Sequence, residues 1–196
     1  SQNHLLFDIA ETMFSDASEP CEYQYGLTGT FALMIGFAVG LPPLWNIETG
    51  ESGVGVFGLM DQGSNNGRGI VPSPPTAWTR SFAGWEIPTN AGFGSAVNLP
   101  SRSENQLVKV LINDNEYFLI ENRDNTIHDG ISLDSMRYAI WEKNGETDYP
   151  PFTEILQDSA WLEKDENGVV VFAPNYDIGL PASGLLIWHI DETVIN

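Results

Sequence analysis

Cysteine is all but missing from this 196-residue chain. Cys21 stands alone, which excludes an intramolecular disulfide framework and any metal site built on two or more thiolates. It also has no basic neighbour to lower its pKa, so nothing marks it as a nucleophile. Positive charge is scarce too: eight Lys+Arg stand against 27 Asp+Glu, for a net charge of −19. A polyanion of this kind repels phosphate backbones and anionic lipid surfaces, so nucleic acid is excluded as a partner and an acidic membrane surface is disfavoured. A long apolar run is also lacking. The longest, from Phe31 to Leu41, is far short of the roughly 20 residues that a bilayer requires, so no transmembrane segment is expected. The first residues, SQNHLLFDIAETMF, carry neither a basic region nor a small-residue cleavage site, so no signal peptide is visible. No GK[ST] phosphate loop occurs. GVGVFG matches a dinucleotide fingerprint only as a string, because turn-like residues flank it where a strand and a helix are required.

What is present suffices for a core. Hydrophobic residues make up 42% of the chain and aromatics 11%, which removes the compositional signature of disorder despite the charge. The acidity itself fits two readings, a solvated surface or a saline, calcium-rich setting.

Along the chain, Leu5, Leu6, Ile9, Ala10, Met13 and Phe14 fall on one face of a short amphipathic helix, followed by a polar loop. The apolar run from Phe31 to Leu41 predicts a buried core helix, stopped by Pro42-Pro43. Seven glycines in residues 50–69 predict a long irregular loop. A short helix is expected from about Pro74 to Ala83. Beyond Trp85 the runs QLVKVLI, EYFLIEN, RYAIWEK, GVVVFAP and GLLIWHI read as strands, with turns at Asn144-Gly145 and Asn167-Gly168. The predicted class is α+β, with a helical and loop-rich first part packed on a β-rich second part. The chain stops at Asn196 straight after a strand, as a piece of a longer protein would.

Few residues suggest chemistry. Asp124, Asp129 and Asp134 lie in one polar stretch with Asn125 and are the Ca²⁺ candidates, in an order that is not an EF-hand. The alternative is a solvated acidic loop. Glu121 and Arg123 share one face of a strand and predict a local ion pair or a link to a neighbouring strand. Asp191 and Glu192 are adjacent, so they face opposite sides of a strand and read as its terminus, with a calcium or capping role. His4, His128 and His189 have no ligand spacing. Trp45, Trp78 and Trp85 are expected to anchor the loop-rich region by packing.

Five stretches, taken in order, carry a resemblance: GLPPLW (Gly40–Trp45), GVGVFGLMDQG (Gly53–Gly63), AWTRSFAGW (Ala77–Trp85), EYFLIENR (Glu116–Arg123) and GLLIWHIDE (Gly184–Glu192). Together they resemble the immune inhibitor A-type secreted metallopeptidases, whose pattern runs HExGHxLGLPDLYD, GxGxWxLMxxG and AWxKxxLGW. The resemblance covers about Leu33 to Glu192 and implies a zincin-like scaffold over residues 1–196, as one domain or its C-terminal portion. Residues 1–27 would form an N-terminal helix and loop. Residues 28–85 would hold the active-site helix, a Met-turn-like loop and a short helix, and residues 86–196 the β-rich part. In that family two histidines one helical turn apart hold Zn²⁺, and the intervening glutamate is the general base. Here the corresponding positions are Leu33, Met34 and Phe37, and Pro43 stands where the family has an aspartate. None offers a zinc ligand or a base, so no zinc is expected. Met60 takes the place of the Met-turn methionine. The resemblance raises the expectation of structural calcium and of an extracellular or cell-surface location. The function expected is that of a catalytically inactive metallopeptidase-like domain acting in binding, adhesion or assembly. Its partner would be a protein or peptide, or further copies of itself. One alternative is an active zinc peptidase with catalytic residues supplied from outside this chain. The other is a structural subunit of an extracellular polymer.

Overall fold

A four-stranded sheet runs through the chain from Thr89 to Asp191, and the short helix Ala77–Phe82 packs on one of its faces. The computed structural model describes residues 27–69, 71–101, 106–128, 130–143, 145, 163–164, 166, 170–172 and 175–194. The helix expected over residues 1–14, Cys21 and the turn at Asn167-Gly168 lie outside these, as do Asn144 and Asp129.

Helix α1 (Thr28–Ala38) opens the described chain. It ends in a Schellman arrangement: Gly40, at φ 90°, donates its N–H to the Phe37 carbonyl, and the Leu41 N–H reaches the Gly36 carbonyl at 2.9 Å. Pro42 and Pro43 then forbid continuation. The helix is not the buried one expected. Only Gly29 and Gly36 are buried along it, because one face rests on the following loop while the other faces outward. That loop, residues 50–69, is irregular, with single-turn 3₁₀ geometry at Gly55–Phe57 and a longer 3₁₀ run at Gln62–Gly69. Helix α2 (Ala77–Phe82) starts at an N-cap in which the Thr76 hydroxyl accepts the Thr79 N–H at 3.2 Å.

The sheet has the order β1-β2-β3-β8, built from Thr89–Asn90, Val108–Leu111, Glu116–Arg123 and Gly184–Asp191. The β1/β2 pair is parallel and the other two are antiparallel. Strand alternation sorts β3 cleanly: Tyr117, Leu119, Glu121 and Arg123 point into the molecule. Across the antiparallel register Ile190 stands beside Tyr117 and Trp188 beside Leu119, on the same face. Against them pack Ala77 and Trp78 of α2 with Leu107, making one core cluster to which Leu44 adds. Smaller hairpins pair β4 (Thr126–His128) with β5 (Ile131–Ser132) and β6 (Glu163–Lys164) with β7 (Val170–Phe172).

The segment RYAIWEK, read from its sequence as a strand, is instead the end of helix α3 (Leu133–Lys143). Ser132 caps it, its hydroxyl accepting the Ser135 N–H at 3.1 Å. The second part is therefore mixed rather than purely β-rich, and the molecule is α+β. Among the described residues no helix is long and apolar enough to cross a membrane.

Candidate functional site

Three neighbouring features make up the region where the sequence pointed. The first is the contact under α1. Leu33 and Phe37, one turn apart, pack with Ala32 and Leu44 on the buried trio Leu41, Leu59 and Met60. Met60 is fully buried. Gly36 makes the approach possible: a Cβ there would lie 2.6 Å from the Met60 sulfur. Gly29 does the same two turns earlier, where a Cβ would collide with the Ser64 carbonyl. Phe37 also meets Trp45 edge to face, with ring centroids 5.8 Å apart. Met34 is half-buried and lies outside that cluster. The structure thus brings Leu33, Phe37 and Met60 together and places Pro43 just beyond them.

The second feature is a groove of about 690 Å³ beside this cluster, between the Pro42–Ile47 turn, α2 and the end of β8. Pro43, Trp45, Ile47, Trp78, Trp188 and His189 line it. The His189 ring leans on Phe118, and its Nε2 sits 3.1 Å from Glu116 Oε2, so this strand histidine is occupied by a carboxylate on the neighbouring strand. Asp191 ends β8 in a tight turn, its Oδ1 accepting the Thr193 N–H at 2.9 Å and the Thr193 hydroxyl at 2.6 Å. Those bonds hold its carboxyl below the ordinary range. Its neighbour Glu192 turns the other way and accepts the Tyr117 hydroxyl at 2.5 Å. Burial and that carboxylate push the Tyr117 phenol well above its usual value. The two acids therefore serve different ends, Asp191 capping the strand and Glu192 holding the Tyr117 hydroxyl. Of the three tryptophans expected as anchors, Trp78 is buried and Trp45 half-buried, but Trp85 is mostly exposed, because the chain leaves α2 at Gly84 and runs outward.

The third feature is polar and buried. Glu121, 2% exposed, accepts from four donors: Trp188 Nε1 at 2.7 Å and the Ala77 N–H at 3.2 Å on Oε1, Arg80 Nη2 at 2.8 Å and Arg123 Nη1 at 3.3 Å on Oε2. The expected Glu121–Arg123 pair is therefore present, within a larger network. Arg123 forks onto Asp177, with Nε at 2.9 and 3.0 Å from its two oxygens and Nη2 at 2.6 Å. Burial alone would lower the Arg123 pKa, but Asp177 and Glu121 outweigh it and hold the guanidinium charged. Arg80 also lies 3.1 Å from Glu86 through Nε, an ion pair without hydrogen-bond alignment.

A fourth polar group, Asp61, was not singled out from the sequence. One oxygen, Oδ2, accepts the Ser52 hydroxyl and the N–H groups of Gly53, Val54 and Gly55, all at 2.8–2.9 Å. Burial by itself would raise this carboxyl. The Ser52 hydroxyl and the backbone donors outweigh it and keep it below the ordinary range. The signal in the sequence was Ser52-Gly53-Val54-Gly55, a run able to turn successive N–H groups toward one anion.

Of the calcium candidates, Asp124 holds a turn together. Its Oδ1 is taken by the Thr126 N–H at 3.0 Å, the Thr126 hydroxyl at 2.7 Å and Ser183 Oγ at 3.2 Å, an Asx-type turn. Asp134 lies in the first turn of α3, away from that turn in the chain, and Asp129 is outside the described residues. Among the described residues no three His, Cys, Asp or Glu side chains gather into a metal-holding group. Compared with models of known protein families, with curated proteins and with solved structures, the chain matched none.

Proposed function

We propose that this chain is a metallopeptidase-like domain that has lost peptide hydrolysis and serves as a binding element of a secreted or cell-surface protein. One observation carries the reading. Leu33 and Phe37 sit one turn apart on α1 and rest, with Leu41 and Leu59, against a fully buried Met60. Those are the positions at which the resembled peptidases have zinc-binding histidines above a methionine turn. A helix, a glycine-bearing turn and a methionine floor in this order support a zincin-like scaffold. Leucine and phenylalanine have no lone pair for Zn²⁺, and no carboxylate stands between them to activate water.

Binding is supported by the groove alongside. Its prolines and tryptophans offer rigid apolar walls, and Asp191 supplies a carboxylate at the lining. Such a surface suits an extended peptide segment of a protein partner that brings apolar side chains and positive charge, as the chain's net −19 also favours. The test is direct. Protein equilibrated with equimolar zinc and passed into metal-free buffer is expected to keep far less than one zinc per chain and to leave casein and gelatin uncut. Stoichiometric zinc with chelator-sensitive cleavage would overturn the reading.

A further inference from the structure

Strand β8 is the outermost of the sheet, and its far side has no partner among the described residues. Its register against β3 sets Ile190 opposite Tyr117 and Trp188 opposite Leu119, and just past the strand the Glu192 N–H meets the Asn115 carbonyl at 3.0 Å. A strand turns its main-chain groups to alternate sides, residue by residue. The even-numbered residues of β8 therefore bond to β3, while Leu185, Ile187 and His189 each turn an N–H and a C=O to the open side. That edge carries none of the usual guards. Gly184 to His189 holds no proline and no Asp, Glu, Lys or Arg, and its register is unbroken by any bulge.

We propose that β8 is a docking edge: an extended segment of a protein partner pairs along Leu185, Ile187 and His189 as a fifth strand, with every second side chain directed into the groove beside Pro43, Trp45 and Trp78. This rests on the groove being a peptide-binding surface, and it adds how the peptide is held. The groove borders the C-terminal half of the free edge, with Trp188, His189 and Asp191 in its lining. A strand laid there has its main chain on β8 and one row of side chains among the tryptophans. The Trp188 wall is fixed, since its Nε1 donates to Glu121 at 2.7 Å. The run from Leu185 to His189 spans roughly 13 Å, room for about five residues of partner.

Charge and main-chain chemistry select this occupant. Asp191 lies at the groove, Glu116 stands beside His189, and no Lys or Arg is among the described lining residues. The segment that fits is apolar at alternate positions and carries Lys or Arg where it passes Asp191. A second copy of the chain offers the same edge, but it brings another −19 and a second Asp191 to the contact. A helix bonds its own main-chain groups internally and has nothing to give the open N–H and C=O groups of Leu185, Ile187 and His189.

The test uses the full chain and a peptide selected on it from a random displayed library. The peptide is resynthesised with one N-methyl group at each position in turn. Methylation at every second position is expected to weaken binding about five- to tenfold, because it removes a donor to β8, and at the interleaved positions far less. Residue-resolved hydrogen exchange reads the protein side. In the free chain the Ile187 and His189 amides should exchange at least about tenfold faster than those of Leu186 and Trp188, and saturating peptide should remove that difference. Binding without the alternation, or without new protection at Ile187 and His189, overturns strand addition and leaves the groove reading standing. Slow exchange at these two amides in the free chain, whatever covers them, overturns strand addition as well. Recovery of no binding peptide, with β3 protected and the chain folded, overturns both.

Discussion

Two buried regions of this molecule, side by side, are built on opposite principles. Under α1 the contact is wholly apolar: Leu33, Phe37, Leu41, Leu59 and Met60 meet with no polar side chain among them. Across α2, at the inner end of β3, the contact is ionic, with Glu121 and Asp177 answering Arg80 and Arg123. The difference lies in what each can tolerate. An apolar cluster loses stability in proportion to the atoms removed, and its partners stay content. An ionic cluster has few members, and each deletion strands a charge that is largely removed from water. The chain thus has its most demanding polar chemistry where it joins α2, β3, β8 and the Asn175–Leu180 turn, and hydrocarbon beneath α1.

The sharpest way to break that comparison is Glu121→Ala. It removes the common acceptor of Arg80, Arg123, Trp188 Nε1 and the Ala77 N–H. Two guanidinium groups then face each other with Asp177 and the half-buried Glu86 as the remaining carboxylates. Breaking a buried pair in this manner costs about 3–5 kcal/mol. A loss of stability below a third of that, read from urea unfolding curves, would mean that water enters the site and the network is not closed.

Met60→Ala tests the apolar side. Met60 has no exposed surface, and its sulfur abuts Gly36, so truncation leaves a cavity beneath α1. The expected loss is about 2–5 kcal/mol, read from the same unfolding curves. On the proposed reading, zinc content should not change, because Met60 there lies beneath Leu33 and Phe37. Were Met60→Ala to alter bound zinc, the two regions would no longer differ in kind.

Much of this was open to a sequence reader, and the exceptions have physical causes. The stop of α1 at Gly40-Leu41-Pro42, the short helix after Pro75 and the strands around Val108, Tyr117 and Leu186 follow from punctuation and alternation that act locally. The Glu121–Arg123 pair followed from strand period alone. Arg80, Asp177 and Trp188 could not be placed in that network beforehand, since they come from 41, 56 and 67 residues away from Glu121 and only the β3/β8 register and the seating of α2 unite them. RYAIWEK reads as a strand through its isoleucine and two aromatics, but the Ser132 cap five residues upstream starts a helix that runs through it. The burial of α1 was overstated for a related reason. Hydrophobicity all round a helix predicts enclosure, but enclosure also depends on what lies opposite, which composition does not locate.

Asp61→Asn gives a smaller, pH-dependent effect. Three backbone N–H groups and a hydroxyl converge on one carboxylate oxygen, and an amide answers them less well. The loss should be about 1–3 kcal/mol at neutral pH. Its sign against pH is fixed by the depressed carboxyl. Such a group contributes fully above its unfolded pKa of about 3.9, and the contribution fades as pH falls through the lower, folded value. The gap between parent and Asp61→Asn should therefore be constant from pH 7 to about pH 5 and narrow below pH 4. A gap that widened on acidification would assign the nest to the neutral acid instead.

Asp191→Asn should do least to the fold and most to decide what the groove is for. Its carboxyl is also depressed, by the Thr193 hydroxyl and N–H, but it stands in solvent, where screening leaves little net contribution. The urea midpoint is expected to match that of the parent within error at pH 7. Peptides selected on the parent from a random displayed library should be enriched in Lys and Arg, and they should bind Asp191→Asn several-fold more weakly, chiefly at low salt. Because stability is unchanged, such a loss reports on the groove and not on unfolding. Peptides that ignore both the substitution and the salt would detach Asp191 from recognition and leave the proline and tryptophan walls as the sole source of affinity.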